Sequence, residues 1–488
     1  MPPAALPAPR WIDLAVIALY LAGITWFGAR FRTAQRSLKD YFLGGKNVPW
    51  WAISLSIVSA ETSTLTVIGT PSLSFQGNFG FLQLVLGYLL ARFVIAALFL
   101  PSYFRGESFT AYQLIHRRFG ERARRLTAAT FLVLRALAEG VRVFAISIVI
   151  SIVLGTGQMT SIAVILALTL FYTFEGGMTA VIWTDVVQMI LYVGGATLSL
   201  VAILRQIPGG WSHVISMAAP LGKFQVFDFA FGEPSKFFAR NYSFWAGVLG
   251  GCFLTTASHG TEQLMVQRLL AARSERESRM ALLSSWLVIA AQFTLFLVIG
   301  VSLFTLYADR HWVTPAVPDS IYPSFVWNYL PVGLAGLVTA AIFAAAMSNL
   351  SAALNSLAST SIVDFLRPLA RREASEGAWL IRARYSTVAW GAILFAVALL
   401  ARNWGNVLQA GLSIASVLYG SLLGVFLLGV LTRRVGESSA IAAMIAGLAV
   451  MLYVRFATPI AFTWYALIGT AATFITGLVA SWFMDERA

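Results

Sequence analysis

About thirteen apolar segments, each roughly 17 residues or longer, recur along the whole chain, and this length matches the hydrocarbon thickness of a bilayer. Of the 488 residues, 58% are hydrophobic and 11% are charged, whereas soluble domains are near half apolar and a quarter charged. The sequence therefore predicts an all-α, multi-pass membrane protein with no separate soluble domain. The segments lie near 11–29, 50–72, 79–103, 126–154, 160–174, 180–204, 242–266, 281–307, 331–358, 385–401, 406–431, 437–456 and 460–483.

The basic residues are concentrated in alternate loops. The net charge is +13, and most of the 34 lysines and arginines lie in the loops on one side, for example at 30–46, 105–125 and 268–279. Loops rich in Lys and Arg stay in the cytoplasm, which predicts a plasma (bacterial inner) membrane protein with its N-terminus outside and its C-terminus inside. The charge is thus explained without a nucleic-acid partner. Cys252 is the only cysteine, which excludes an intrachain disulfide and a thiolate metal cluster.

The centre of the second apolar segment, Trp50–Ser72, is too polar for a simple membrane-spanning helix. Residues 59–64, Ser-Ala-Glu-Thr-Ser-Thr, place a carboxylate and four hydroxyls at mid-membrane depth. A charge there costs about 2.5–3.5 kcal/mol even on lenient insertion scales. We therefore predict a discontinuous helix whose freed carbonyls form an ion or substrate site. The alternative is an unbroken span whose polar stripe packs on neighbouring helices.

The seventh segment, Tyr242–Val266, shows a comparable interruption. Gly247, Gly250 and Gly251 are followed by the polar run 255–260. The two interrupted segments are five spans apart, so they cross the membrane in opposite directions. This pattern predicts two inverted five-helix repeats, 50–205 and 242–431. One extra helix, 11–29, precedes them, and two more, 437–483, follow.

Four motifs in order resemble signatures of the sodium/solute symporter family, whose members carry proline, sugars, sialic acids, iodide, monocarboxylates or vitamins. They are DYFLGGKNVPWW before the broken helix, GGMTAVIWTDVVQ (176–188), GTEQLMVQRLLAARS (260–274) and AAAMSNLSAALNSLASTSIVDFL (344–366). The resemblance covers most of the chain. It implies the inverted-repeat fold and sodium-coupled transport, not an enzymatic activity.

The resemblance also implies a sodium site between spans two and nine. Its ligands would be the carbonyls of Ser59, Thr62 and Ala345 and the hydroxyl of Ser348, with Asn349 where the family usually has a second hydroxyl. A small, hard cation prefers several oxygen ligands of this kind. The alternative for span nine is that its small residues only allow close helix packing.

A second ion or coupling site is left open. Asp185, in the WTD of span six, matches the family's acidic residue associated with sodium. Members that bind a second sodium add two hydroxyls from span nine, whereas here the positions are Ser351 and Ala352. Glu61 replaces a residue that is uncharged in many relatives, and it either tunes the sodium site or carries a proton.

The substrate residues are predicted from spacing and from the resemblance. Arg135, Glu139 and Arg142 are spaced four and three, so they share one helix face. They form either a self-neutralising network or a site where one guanidinium binds a substrate carboxylate. Further candidates are Thr66, Gln83 and Glu262 by position, Tyr419 as a gate or core residue, and His259 chiefly as a packing residue.

Taken together, these features predict a sodium-coupled importer that works by alternating access in a lipid bilayer. We expect a carboxylate-bearing metabolite or amino acid as substrate, one or two sodium ions per cycle, and a monomer that suffices for transport. The alternatives are a sodium/sugar symporter, a proton-coupled carrier that uses Glu61 and Asp185, a channel, or a membrane sensor.

Overall fold

The computed structural model describes residues 10–30, 47–105, 111–172, 178–230, 232, 236–366 and 376–484, and its regular elements in this part of the chain are all helical. The helices are α1 (Trp11–Ala29), α2 (Trp50–Glu61), α3 (Thr64–Gln76), α4 (Leu82–Phe104), α5 (Ala111–Phe119), α6 (Glu121–Leu154), α7 (Gln158–Tyr172), α8 (Met178–Gln206), α9 (Gly210–Ala218), α10 (Gly251–Gly260), α11 (Gln263–Leu270), α12 (Glu275–Asp309), α13 (Ile321–Tyr329), α14 (Leu334–Thr360), α15 (Glu376–Ala401), α16 (Val407–Leu431), α17 (Glu437–Ala457) and α18 (Tyr465–Met484).

The length and polarity of these helices fit a polytopic membrane protein. Within the described residues, eight helices are long and apolar enough to cross a membrane, and the bent pair α2–α3 makes a ninth candidate. Shorter apolar helices lie in α1, α7 and α14. Large apolar side chains such as Leu19, Phe456 and Trp482 are exposed, as expected where lipid is the solvent. The predicted count of thirteen crossings and the repeat arrangement remain predictions.

Helix α1 is anchored to the start of α14. The Asp13 carboxylate accepts hydrogen bonds of 2.7 Å from the backbone N–H groups of Gly333 and Gly336, which belong to the unpaired donors at a helix N-terminus. A Cβ on Gly336 would lie 2.7 Å from the Asp13 backbone, so the close approach requires glycine. The extra N-terminal helix therefore braces α14, the helix that carries positions 345–351.

Three glycines bring α4 and the seventh predicted span together. A Cβ on Gly87 would lie 2.5 Å from the Val248 carbonyl oxygen, and one on Gly251 would lie 2.5 Å from the Leu84 carbonyl oxygen. Gly247 approaches Gln83 in the same way. Gly247 and Gly251, which were predicted to be part of the interruption, instead serve helix packing, and the interruption lies further along the chain.

Asp319 joins the loop between α12 and α14 to two membrane helices. It is almost fully buried, and its carboxylate accepts from Asn406 Nδ2 at 2.7 Å and from the Val407 N–H at 2.8 Å. Asn406 also caps α16 and donates to the Gly69 carbonyl in α3 at 3.3 Å. Burial raises the pKa of Asp319 to about 6, although the hydrogen bond from Val407 opposes this.

We expect stability to depend on pH through Asp319. Its pKa is higher in the folded protein than in the unfolded chain, so its contribution is present at low pH and is lost as the pH rises through about 6. The wild-type Tm should therefore fall relative to that of Asp319→Asn between about pH 4 and pH 7. Since one pKa unit corresponds to about 1.4 kcal/mol, the corresponding change in the free energy of unfolding is on the order of 2–3 kcal/mol. If the Tm of the wild type and that of Asp319→Asn change with pH in the same way, the assignment of the pH dependence to Asp319 is wrong.

Candidate functional site

The second predicted span is broken halfway along its length. Helix α2 ends at Glu61 and α3 begins at Thr64, with a bend of 64° between them. Thr62 and Ser63 are extended, with φ/ψ of −86°/100° and −104°/178°. Among the described residues, no backbone N–H donates to the carbonyl of Ser59 or Thr62. The predicted interruption is present, and it leaves carbonyl oxygens that are able to bind a cation.

Gln292, in the middle of α12, supports this break. Its Nε2 donates to Thr62 Oγ1 at 2.6 Å, and its own Oε1 is buried without a hydrogen-bond partner in the described part of the chain. Sequence reasoning missed Gln292. The available signal was a single amide inside an otherwise apolar span, since such a residue in a membrane helix usually faces a cavity or a polar partner.

We expect Gln292→Leu to weaken sodium binding roughly fivefold, because Thr62 loses a buried hydrogen bond worth about 1 kcal/mol. The measurement is a thermal-shift titration of the purified protein with sodium chloride against choline chloride. Thr294→Val is the matched control, since the Thr294 hydroxyl donates only to the Ala290 carbonyl of its own helix. Equal sodium dependence in both variants would show that Gln292 does not support the site.

Helix α14 provides the other side of the predicted sodium site. Positions 345 and 348 lie within this helix, but the side chains of Ala345 and Ser348 fall outside the described residues. Asn349 and Ala346 line a small cavity of about 10 Å³ together with Ser63 from the break. This volume is near the limit for one water-sized particle. The described residues therefore bring Asn349 next to the break.

The seventh predicted span is broken as well. Helix α10 ends at Gly260 and α11 begins at Gln263, and Glu262 between them is extended, with φ/ψ of −84°/130°. The break directly follows the polar run 255–260, so the prediction of an interrupted span is confirmed at a position just beyond the glycines. Each of the two broken spans therefore places one glutamate, Glu61 or Glu262, at its interruption.

A cavity of about 150 Å³ lies between the two breaks. Five of the six predicted substrate residues line it, together with Glu61, His259 and Asn349. Those five are Thr66, Arg135, Arg142, Glu262 and Tyr419. Its mixture of apolar walls with a few charged groups is typical of a site for a small polar solute, and its volume is below the roughly 300–1,000 Å³ of most ligand pockets.

The arginines of α6 are held by carboxylates at the cavity wall. Arg135 pairs with Glu262 at 2.8 Å and with Glu139 at 3.0 Å, and Arg142 also pairs with Glu139. The Tyr419 hydroxyl donates to the other oxygen of Glu262 at 2.5 Å. The network is therefore self-neutralising, as one of the two alternatives predicts, and it faces the cavity. Binding of a substrate carboxylate by one of these guanidinium groups stays a prediction.

Glu61 takes part in a second buried network. Its Oε2 accepts from Arg92 Nη2 at 2.7 Å and lies 3.3 Å from His259 Nε2. Arg92 is fully buried and also donates to Ser285 Oγ at 3.1 Å and to the Tyr88 carbonyl. Arg92 lies within the third predicted span, 79–103, and the sequence does not give its partner. An arginine buried in an apolar helix is the signal, because such a charge requires a counter-charge.

Asp185 is outside the cavity lining and is already paired. Its Oδ2 accepts from Ser56 Oγ at 2.6 Å and from Arg268 at 3.0 Å. Ser351, the proposed partner for a second ion, has a buried hydroxyl without a hydrogen-bond partner among the described residues. Arg268 and Ser56 were not predicted as site residues. Asp185, Ser56 and Arg268 together make a compact polar cluster in which a guanidinium compensates the carboxylate.

Gln83 lies away from the central cavity. It is fully buried, its Nε2 donates to the Tyr242 carbonyl at 2.6 Å, and its Oε1 accepts from the Asp228 N–H at 3.0 Å. Tyr242 contacts Phe81, and Phe81 contacts Phe293 of the cavity wall at a ring distance of 4.9 Å. Gln83 therefore braces an aromatic layer at one end of the cavity.

The chain is similar in sequence to known sodium-coupled transporters. The chain is 27% identical to the sodium/sialic acid symporter SiaT of Proteus mirabilis (strain HI4320), over 96% of this chain and 95% of the relative. It is 30% identical to the sodium/iodide cotransporter of Homo sapiens, over 91% of this chain and 69% of the relative.

A solved structure of similar fold extends the comparison to three dimensions. A substrate-bound outward-open state of a Na⁺-coupled sialic acid symporter superposes with a TM-score of 0.83 at 26% identity, over 98% of each chain. These relatives are transporters rather than enzymes. The family model described as "Sodium:solute symporter family" matches residues 41–447, and the chain belongs to that family.

Proposed function

We propose that this protein imports a carboxylate-bearing solute, in the first place a sialic acid, by coupling it to sodium. The observation that carries the proposal is the cavity between two broken helices, with Arg135 and Arg142 in its wall. Sodium would bind at the break of α2–α3, and the solute would bind beside it. Ordering of the break by sodium would complete the solute site and link the two ligands.

The proposed substrate class follows from the charge of the solutes that the relatives carry. The relatives named above carry a sialic acid or iodide, and others are sodium-coupled monocarboxylate transporters, so all of these named solutes are anions at neutral pH. A carboxylated sugar uses the arginines for its carboxylate and the remaining polar wall for its hydroxyls. This favours a sialic acid over the amino acid of our initial expectation and over an uncharged sugar.

The ion ligands stay as predicted from the sequence. We assign the first sodium to the carbonyls of Ser59, Thr62 and Ala345 with the side chains of Ser348 and Asn349. Asp185 and Ser351 are the candidates for a second ion, for which Arg268 would have to release the carboxylate.

The energetics favour that second ion. One sodium that enters with a monoanion moves no net charge, so a tenfold sodium gradient concentrates the solute only about tenfold. A second sodium ion would add one net charge, worth about 2.3 kcal/mol per 100 mV. Import against a large concentration gradient of the solute therefore requires two sodium ions, whereas one sodium ion supports only a modest concentration ratio.

The proposed arrangement in the membrane follows the charge distribution. The N-terminus lies outside and the C-terminus in the cytoplasm of a plasma (bacterial inner) membrane. We propose thirteen crossings, two inverted five-helix repeats (50–205 and 242–431), and a monomer as the transporting unit.

The test is uptake of radiolabelled sialic acid into proteoliposomes under an inward sodium gradient. Accumulation should disappear when choline replaces sodium, and an inside-negative potential should increase it only if two ions enter per solute. A proton gradient without sodium provides the second arm. Accumulation driven by protons alone would reject sodium coupling in favour of a proton-coupled carrier that uses Glu61.

A further inference from the structure

Glu262 presents a carboxylate to the same guanidinium that a substrate carboxylate would use. Its Oε1 lies 2.8 Å from Arg135 Nη1, and its Oε2 accepts the Tyr419 hydroxyl at 2.5 Å. Both Arg135 and Glu262 line the central cavity and are almost fully buried. One carboxylate oxygen of Glu262 thus accepts a hydrogen bond from a charged guanidinium, and the other accepts one from a neutral hydroxyl.

Arg135 has little capacity for another anion while Glu262 is in place. Its second carboxylate partner, Glu139, follows four residues later on the same helix and is fixed relative to it. Glu262 comes from a different helix pair and is the exchangeable partner. Arg135 Nε is buried without a hydrogen-bond partner among the described residues, so a planar carboxylate has a further donor to gain there.

We propose that Glu262 is an internal substitute for the substrate carboxylate, which must displace it from Arg135 in order to bind. This inference rests on the proposed function, in that the solute carries a carboxylate. Glu262 is then a specificity-determining residue, because it neutralises Arg135 in the empty cavity. A small anion that makes no other contacts gains too little free energy on binding to offset the displacement of Glu262.

The position of Glu262 in the chain suits such a displacement. It lies in the break and is the residue that directly precedes α11, a helix of eight residues. The other ion-paired residue of that helix is Arg268, which holds Asp185 and Ser56. Release of Glu262 therefore removes a polar anchor at the start of α11 and couples solute binding to the movement of this half-helix.

The displaced carboxylate also selects the solute. Glu262 keeps the Tyr419 hydroxyl but loses its guanidinium, and a buried carboxylate without a counter-charge is costly. A solute that brings hydroxyl or amide N–H donors along with its carboxylate satisfies Glu262 in its new position. Hydroxylated acids such as a sialic acid are favoured in this way over a plain fatty acid anion such as butyrate.

The experiment is equilibrium binding to the purified full-length protein in sodium buffer, by isothermal titration calorimetry with sialic acid, its methyl ester and butyrate. We expect Glu262→Gln to bind sialic acid about tenfold more tightly, because a neutral amide competes weakly for a guanidinium. Butyrate should gain more than sialic acid, so the discrimination between them should shrink. The methyl ester has no carboxylate, and its affinity should not rise.

Two further variants guard against misfolding and general charge effects. Glu262→Asp keeps the charge but reaches less far, and it should tighten binding by a smaller factor. Glu275→Gln removes a cytoplasmic glutamate that pairs with Arg279 and should leave affinity unchanged. Unchanged or weaker binding in both Glu262 variants would overturn the proposal.

The same assay separates this inference from the proposed function. A wild type that binds sialic acid but shows no sodium-driven uptake would contradict sodium-coupled import, and the affinity ratio between wild type and Glu262→Gln would still decide the role of Glu262. A wild type that binds neither sialic acid nor butyrate would overturn both.

Discussion

Arg135→Gln is expected to reduce sodium-driven sialic acid uptake by roughly a hundredfold. Arg135 is the guanidinium in the cavity wall that holds two carboxylates, those of Glu139 and Glu262. Loss of one member of a buried, hydrogen-bonded charge pair typically costs about 2–5 kcal/mol, and each 1.4 kcal/mol corresponds to a factor of about ten. Uptake into proteoliposomes at saturating sodium measures the effect.

Two controls separate the loss of a binding group from a loss of folded protein. Arg135→Lys keeps the charge but replaces a planar fork by a point charge, so uptake should recover only in part. Arg135→Gln combined with Glu262→Gln removes one cation and one anion, so its Tm should lie closer to that of the wild type while uptake stays low. Full uptake in Arg135→Gln would show that Arg142 or another group binds the solute carboxylate.

Arg92→Met is expected to produce the largest loss of stability. Arg92 is completely buried, and its partner Glu61 lies 2.7 Å away with a side chain 11% exposed. Removal of one partner of a buried ion pair leaves an uncompensated charge and costs about 3–5 kcal/mol. We expect a clearly lower Tm and a lower yield of monodisperse protein, measured by differential scanning fluorimetry and size-exclusion chromatography.

The double variant Arg92→Met with Glu61→Gln tests the reason for this loss. Because it removes the charge on both partners, it should regain most of the Tm lost in Arg92→Met. Arg402→Met is the matched control, since Arg402 is exposed and its substitution should change the free energy of unfolding by no more than about 0.5 kcal/mol. If the double variant melts no higher than Arg92→Met, Arg92 acts through packing rather than through Glu61.

Several features of the site could be read from the sequence because their cause is local. A carboxylate and hydroxyls in an apolar segment are incompatible with an unbroken lipid-facing helix, so the interruption near Glu61 was predictable. The polar run 255–260 gave the second interruption in the same way. Its glycines were misread, because a glycine at a packing contact and a glycine at a break look alike in sequence.

The partners of charged groups on other helices were not predictable, whereas the pairs within one helix, such as Arg135 with Glu139, were. Glu61 meets Arg92, Glu262 meets Arg135 and Asp185 meets Arg268, across 31, 127 and 83 residues of sequence. Each carboxylate had several arginines within spans or at their ends as possible partners. Gln83 also shows that a partner on another helix cannot be predicted from sequence. Its residue type is suited to a substrate contact, but its position on α4 places it against Tyr242.

The sequence by itself therefore determined that the chain crosses a membrane many times, that two of its helices are interrupted, and that charged groups lie at mid-depth. Apolar length and the cost of burying charge act along a single helix, so these properties need no tertiary information. Only the tertiary structure decided which arginine compensates which carboxylate and which residues line one cavity. Such pairings depend on the register between helices that are distant in the chain, and close packing of small residues such as Gly87 and Gly336 sets that register.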